Sequence, residues 1–171
     1  MTRASELRAD DAVRWFVEQF ALLLANSGLP RMAARVFAYL LAGDGEKRTV
    51  GQVAAALGVS PAAVSGAVRH LSQAGLVIRD REPGAGADSY RVREDAWQVI
   101  AVRAVEAVDR AVDALSASVE RLDQETDAVS DGVREALEFY RFWREELPAT
   151  MERWRKHRRT VLGRQSNAAR G

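Results

Sequence analysis

The sequence of 171 residues contains no cysteine and only two histidines, His70 and His157. The lack of cysteine excludes a disulfide framework, a thiolate metal site and a cysteine nucleophile, and it suits a reducing cytosol. The histidines lie far apart, no His-x-x-x-His pair offers metal ligands, and there is no nucleophile elbow. We therefore expect no catalytic residue, no metal and no cofactor, with a small enzyme as the alternative from another class.

Long hydrophobic runs are missing as well. The most apolar stretch, residues 20–24, is far too short to span a bilayer, and the N-terminus carries no apolar signal segment. The chain is nevertheless 47% hydrophobic, which is enough to bury a sizeable core in one domain with extensions. These features predict a cytoplasmic protein.

Acidic residues are absent between Lys47 and Arg79, although the net charge of the whole chain is only +1. Residues 47–93 hold seven basic and three acidic residues, whereas residues 94–146 hold six basic and fourteen acidic residues. A surface of the first kind attracts phosphate and a surface of the second kind repels it. We therefore expect residues 47–93 to contact DNA and residues 94–146 to form a scaffold.

The same acid-free stretch carries the signals of two short helices joined by a tight turn. Thr49 and Gln52 can form a capping box that opens the first helix, which closes at Gly58. Ser60 is a natural N-cap for the second helix, and Pro61 suits its first position. The core-facing stripe of the second helix consists of Val64, Ala67, Val68 and Leu71. The opposite face is small and polar, which permits close approach to a major groove, and it includes one Arg and one Gln that can reach base edges.

Two short strands follow the second helix. Residues 76–81 and 89–93 have strand character, and residues 83–88 form the glycine-rich loop between them. Such a ribbon can present arginines to a sugar-phosphate edge. This order of elements predicts a winged helix-turn-helix, in a fold that is mainly α with a small β-wing. The expected DNA-binding residues are Ser60, Ala62, Ser65, Gly66, Arg69, Gln73, Arg79, Arg81 and Arg91.

Each feature also has a purely structural explanation. A helix-turn-helix can be a packing unit, and a glycine-rich hairpin can be a surface turn. The occurrence of all of them in the required order favours a double-stranded DNA-binding protein. The alternative is a winged domain that binds only another protein, for which an acidic outer face would be the expected sign.

Residues 28–37 (GLPRMAARVF), 57–60 (LGVS) and 69–71 (RHL) carry a family resemblance. On these motifs the chain resembles the MarR family of bacterial transcriptional regulators, and more particularly its GbsR-like branch. The resemblance implies a homodimer of winged-helix subunits joined through their N- and C-terminal helices, which usually represses transcription and is often relieved by a small ligand. The wing departs from the family pattern, because residues 79–81 match the Asp-x-Arg element only loosely.

The segment after the wing carries a heptad stripe and contains neither glycine nor proline over residues 94–131. A helix of about 30 residues would be about 45 Å long, which is more than one small winged domain can cover. Burial of the stripe against a second subunit is the simplest explanation, and an intramolecular three-helix bundle is the alternative. We expect Pro148 to kink or end the last helix. The expected dimerisation residues are Phe16, Phe20, Val108, Val112, Leu115, Val119, Leu137 and Trp143.

These patterns divide the chain into an N-terminal dimerisation helix (1–28), a winged helix-turn-helix (29–93), C-terminal dimerisation helices (94–160) and a disordered tail (161–171). A small apolar or aromatic effector is expected at the junction near Trp15, Trp97 and Tyr140, with core packing as the alternative role of these residues. Residues 153–159 are strongly basic. They could grip flanking DNA, but basic residues also suit a helix C-terminus, and we favour that interpretation.

Overall fold

A computed structural model describes the backbone of residues 3–81, 86–126 and 130–168, and the side chains of residues 10–81, 86–124 and 130–161. Two units are distinguished, Met1–Val99 and Ile100–Gly171. The elements are α1 (Arg3–Asn26), α2 (Arg31–Ala42), β1 (Arg48–Thr49), α3 (Val50–Leu57), α4 (Pro61–Gln73), β2 (Val77–Asp80), β3 (Ser89–Val92), α5 (Ala96–Thr126) and α6 (Asp131–Ala168).

The core of the first unit is built around α2, which packs against α1 and α4. Its side chains Val36, Phe37 and Leu40 are completely buried, because apolar residues recur at helical spacing on one face of α2. The predicted core stripe of α4 is confirmed, since all four of its residues are buried. Burial of one such side chain contributes about 1.5 to 3 kcal/mol to folding, so this stripe fixes which face of α4 points outward.

The predicted caps of the two short helices are confirmed. The Thr49 hydroxyl accepts a hydrogen bond from the Gln52 amide (3.3 Å), and the Gln52 side chain accepts one from the Thr49 amide (2.8 Å). Gly58 ends α3 in the left-handed conformation, with φ of 64°. The Ser60 hydroxyl accepts from the Ala63 amide at the start of α4 (3.2 Å). The two helices meet at 115°, which is the geometry of a helix-turn-helix.

The wing is part of a three-stranded antiparallel sheet in the order β1-β3-β2. The hairpin register pairs Val77 with Val92 and Asp80 with Ser89. The predicted strands are confirmed with slightly tighter bounds, whereas residues 83–85 of the predicted loop lie outside the described residues. Strand β1 was not predicted, because two residues are too few to show a period. Its Thr49 pairs with Ser89, so the sheet continues directly into the cap of α3.

The second unit is helical. The uninterrupted helix predicted after the wing is confirmed as α5, which is 31 residues long. An ion pair of 2.8 Å between Asp123 and Arg134 joins the end of α5 to the first turn of α6. Of the two outcomes predicted for Pro148, a helix end is not observed, because α6 continues through this residue, and a kink stays a prediction. Pro148 lies on an exposed side of α6, where water can solvate the freed carbonyl. The backbone of residues 161–168 belongs to α6, and the division of the chain at residue 160 stays a prediction.

Candidate DNA-binding surface

The outer face of α4 carries most of the predicted base-reading residues. The exposed residues of this face are Ala62, Gly66, Arg69 and Gln73, and Ser65 beside them is half-buried. A Cβ added to Gly66 would meet no atom of the described residues within 4 Å. The packing of the chain therefore gives no reason for this helical glycine, which costs roughly 0.5 to 1 kcal/mol relative to alanine. Close approach of another surface to this face of α4 does give a reason for glycine, because a residue without a side chain leaves the face smooth.

Ser60 has the capping role that the sequence predicted, and its contact with DNA stays a prediction. Its hydroxyl oxygen caps α4 by accepting from the Ala63 amide, so its first function is to begin the recognition helix. The hydroxyl hydrogen stays available as a donor. Because the capped N-terminus of α4 carries a partial positive charge, this end of the helix also favours an approaching phosphate.

The three wing arginines predicted to hold phosphate are all paired with aspartates of the wing. Arg91 Nε lies 2.9 Å from an Asp80 oxygen, and Asp88 pairs with both Arg79 and Arg81. The hydrogen bond and the charge of Asp88 raise the pKa of Arg79 above its usual value. The side chains of Arg79 and Arg81 are 55% and 80% exposed, so a phosphate can displace the carboxylate.

The sequence did not indicate the pairing of these wing aspartates, nor that Arg48 lies in a strand, β1. Arg48 lies opposite Tyr90 in the sheet and forms an ion pair with Glu46. Its Nε is buried and has no hydrogen-bond partner in the part of the chain that the structure describes. The hairpin register could have revealed the position of Asp88, because Asp80 pairs with the next residue, Ser89. No local signal in the sequence could have revealed β1.

The three aromatic residues expected around an effector are divided between the two units, with Trp15 and Trp97 in the first and Tyr140 in the second. Trp97 packs edge-on against Phe20 and Phe37, with ring centroids 6.2 and 6.1 Å apart, so it extends the core of the first unit. Trp15 is 66% exposed on α1. Tyr140 belongs to the second unit, where its ring contacts Phe139 at 5.6 Å. Trp97 is still 38% exposed, so its place near an effector stays a prediction.

A recess in the first unit lies between α1, α2 and the end of α3, and its volume is about 580 Å³. Arg35 crosses it. This guanidinium forms an ion pair with Glu18 on α1 (2.7 Å) and donates a hydrogen bond to the Leu57 carbonyl (3.4 Å). Because Leu57 is the last residue of α3, one side chain connects the N-terminal helix to the turn of the helix-turn-helix. The apolar lining residues are Val13, Val17, Ala55, Ala56 and Leu57.

The residues expected at a dimer seam fall into three groups by exposure. Val112 and Leu137 are only 2% and 5% exposed in the single chain, so they cannot contribute an open surface. The half-buried residues are Phe16, Phe20, Val108, Leu115 and Val119. Trp143 is 42% exposed, and Phe139 and Phe142, which the sequence reasoning did not select, are 55% and 62% exposed. These three rings follow one another at helical spacing and form an aromatic patch on α6.

Among the residues that the structure describes, no group of three His, Asp or Glu side chains could hold a metal ion. Within the same ranges no single helix is long and apolar enough to cross a membrane. Helices α3 and α4 have sufficient length and apolar composition only when they are taken together, as a pair bent by 115°.

The capped helix pair, the acid-free outer face of α4 and the three-stranded wing define a winged helix-turn-helix protein. Residues 27–87 match the model of the MarR family, and residues 95–157 match that of MmpR5-like MarR family transcriptional regulators. The chain belongs to the MarR family of transcriptional regulators. Neither match names the GbsR-like branch, which stays a prediction.

The fold is similar to that of a solved structure, and other solved chains match with lower TM-scores. A crystal structure of a transcriptional regulator superposes with a TM-score of 0.69 at 23% identity, covering 85% of this chain and 99% of the other. The adhesin competence repressor AdcR from Streptococcus pyogenes is 19% identical over 81% and 97% of the two chains, with a TM-score of 0.37. Tm0710 from Thermotoga maritima is 19% identical over 88% and 96%, with a TM-score of 0.38. No curated protein matches the chain in sequence.

Proposed function

We propose that the protein binds double-stranded DNA sequence-specifically as a homodimer and represses transcription from the sites it reads. The observation that carries the proposal is the outer face of α4, which is exposed, free of acidic residues and smooth at Gly66. On this face Arg69 and Gln73 are the two exposed side chains long enough to reach base edges. The wing arginines hold the backbone beside the groove once a phosphate replaces Asp80 or Asp88.

The test is selection of genomic fragments by the purified protein, followed by sequencing. A dimer should select a motif with two related half-sites about one helical turn, or about 34 Å, apart. Arg69→Ala should bind the same fragments with less preference at one position of each half-site. Arg110→Ala is the matched control, because it removes one arginine that is 70% exposed on α5. Fragments without any shared motif would refute sequence-specific reading.

Dimerisation is supported by the aromatic patch of α6 and by the family, whose regulators bind DNA as dimers. Three large aromatic rings that are 42% to 62% exposed are costly on the surface of a single chain. Burial of this patch against a second subunit removes the cost. Light scattering at micromolar concentration should report two chains per particle, and a monomer would refute the assembly.

We also propose that a small apolar or aromatic effector binds in the recess between α1, α2 and α3 and weakens DNA binding. The lining combines apolar side chains with the charged side chains of Asp10, Arg14, Glu18 and Arg35, and the volume of the recess is typical of small-molecule sites. An effector there meets Arg35, which connects α1 to the end of α3. A compound that separates Arg35 from the Leu57 carbonyl can therefore change the position of the turn before the recognition helix.

A screen of apolar and aromatic compounds against operator binding tests this site. Ala56→Trp fills the recess from an exposed position of α3 and should abolish the response to a compound without changing operator affinity. Ala104→Trp, at an exposed position of α5, is the control that should leave the response intact. Linkage requires that operator DNA weakens binding of the compound by the same factor. A response that survives in Ala56→Trp would place the effector elsewhere.

A further inference from the structure

The second half of α6 carries a basic surface that the winged domain does not use. Residues 153–161 include five Arg or Lys residues, and no acidic residue follows Glu152 in the sequence. Three of the cations, Arg153, Lys156 and Arg159, are exposed and recur at every third position. We call these three residues the basic face.

A helix end does not explain the basic face. Cations are stabilised by the helix dipole only within the last turn of a helix. Helix α6 continues to Ala168, so Arg159 lies more than two turns before its end, and the last turn itself contains no basic residue. The interpretation that the sequence favoured for these residues therefore fails, and their charge needs another explanation.

Ion pairs among the described side chains do not neutralise the basic face either. Glu152 pairs with Arg155 at 2.8 Å, and Arg153 donates to the neutral Thr150 hydroxyl at 2.9 Å. In the described part of the chain, Lys156 and Arg159 have no ion-pair partner within 4 Å.

The electrostatic field at Glu152 agrees with this geometry. A hydrogen bond from Arg155 lowers the pKa of the Glu152 carboxyl below its usual value, and the charges of Arg155, Lys156 and Arg159 lower it further. One carboxylate thus faces three cations. The net positive charge on this side of α6 is therefore not balanced within the described residues.

We propose that the basic face is a second, sequence-independent binding surface for the phosphate backbone of duplex DNA. The three cations span about 9 Å along the helix axis, and a duplex presents about five phosphates over that distance. The choice of DNA rests on the proposed function, which brings this polyanion to the protein. The surface adds affinity without reading bases, because each cation that meets a phosphate releases a counterion.

The experiment uses the full chain with three sets of substitutions. The reader variant Arg69→Ala, Arg79→Ala and Arg81→Ala disables the winged domain. The face variant changes Arg153, Lys156 and Arg159 to Gln. The control changes Arg103, Arg110 and Arg144 to Gln, which removes the same charge from exposed positions of the same unit. Binding is measured by fluorescence anisotropy on a random duplex of about 40 base pairs from about 50 to 200 mM salt.

In the reader background, the control should still bind the random duplex, with an affinity that falls steeply with salt. The face variant should bind at least about tenfold more weakly at the lowest salt, with a salt slope smaller by about three for each subunit. Equal losses in the face variant and the control would show that only total charge matters, and would overturn the proposal. Tighter binding to a single strand of the same length would also overturn it.

Anionic vesicles of phosphatidylglycerol and phosphatidylcholine separate DNA from a membrane surface. If the face variant loses vesicle binding and keeps all duplex binding, the surface is for lipid and the proposal is wrong. The failure of the proposed function looks different. In that case the protein selects no shared motif from genomic fragments, whereas the effect of the face variant on a random duplex is still measured.

Discussion

Replacement of Asp88 by Asn should strengthen binding to duplex DNA of any sequence. Asp88 is the partner of both Arg79 and Arg81 in the free protein, so each wing must give up a carboxylate before its arginines can meet phosphate. Asparagine keeps the shape of the side chain and removes the charge. If one additional phosphate is engaged by each wing, a dimer gains two, and the salt slope should steepen by about 1.8.

The gain in DNA affinity therefore depends on the salt concentration. The advantage of Asp88→Asn over the wild type should shrink about tenfold between about 50 and 200 mM salt. Anisotropy titrations on random and operator duplexes measure it, and the ratio of specific to random affinity should stay constant or fall. Asp113→Asn is the control, because it removes one exposed carboxylate from α5. An affinity in Asp88→Asn that equals or falls below that of the control would refute the idea that Asp88 competes with phosphate.

Three further outcomes are expected. Arg69→Ala should make the free energy of DNA binding less favourable by about 1 to 3 kcal/mol at a single base position. Arg81→Ala should weaken binding to all duplexes alike and lower the salt slope by about one for each subunit. Titrations on base-substituted and random duplexes measure both effects. Phe142→Asp should convert the dimer to monomers in light scattering with an unchanged circular dichroism spectrum, because this ring is 62% exposed in the single chain; a dimer that persists would exclude the aromatic patch. Thr49→Ala should lower the free energy of unfolding by about 1 kcal/mol in urea denaturation, through loss of the helix cap.

The helix-turn-helix was predictable because its signals are local. A cap such as Thr49 with Gln52 satisfies backbone groups only three residues away. A few turns of regularly spaced apolar residues are enough to identify the side of a helix that faces the core. The boundaries of α3 and α4 follow from these short-range interactions. Tertiary packing then agrees with them, since the stripe of α4 is the one that becomes buried.

The dimer seam was harder to predict, because a periodic stripe shows that one face is covered but not by which chain. Val112 lies on the heptad stripe of α5, and it is buried without any second subunit. The aromatic patch of α6 was missed in part for the opposite reason. Phe142 lies in a stretch that is apolar on more than one face, so periodicity alone did not indicate which rings stay exposed.

The wing could be located from the sequence but its charge could not. Arg91 and Asp80 lie eleven residues apart, and only the antiparallel register brings their side chains to 2.9 Å. The continuation of α6 through Pro148 was also outside the reach of local rules, because the cost of a helical proline depends on whether water can reach the freed carbonyl.

Thr49 belongs to two structures at once. Its backbone pairs with Ser89 of the wing, and its side chain begins α3. For protein engineering this means that the wing is not an exchangeable module. A graft that replaces β3 by a strand of different register also moves the residue from which the helix-turn-helix starts, so a chimera should take β1 through β3 from one parent. Recombination between relatives would be expected to preserve the same boundary.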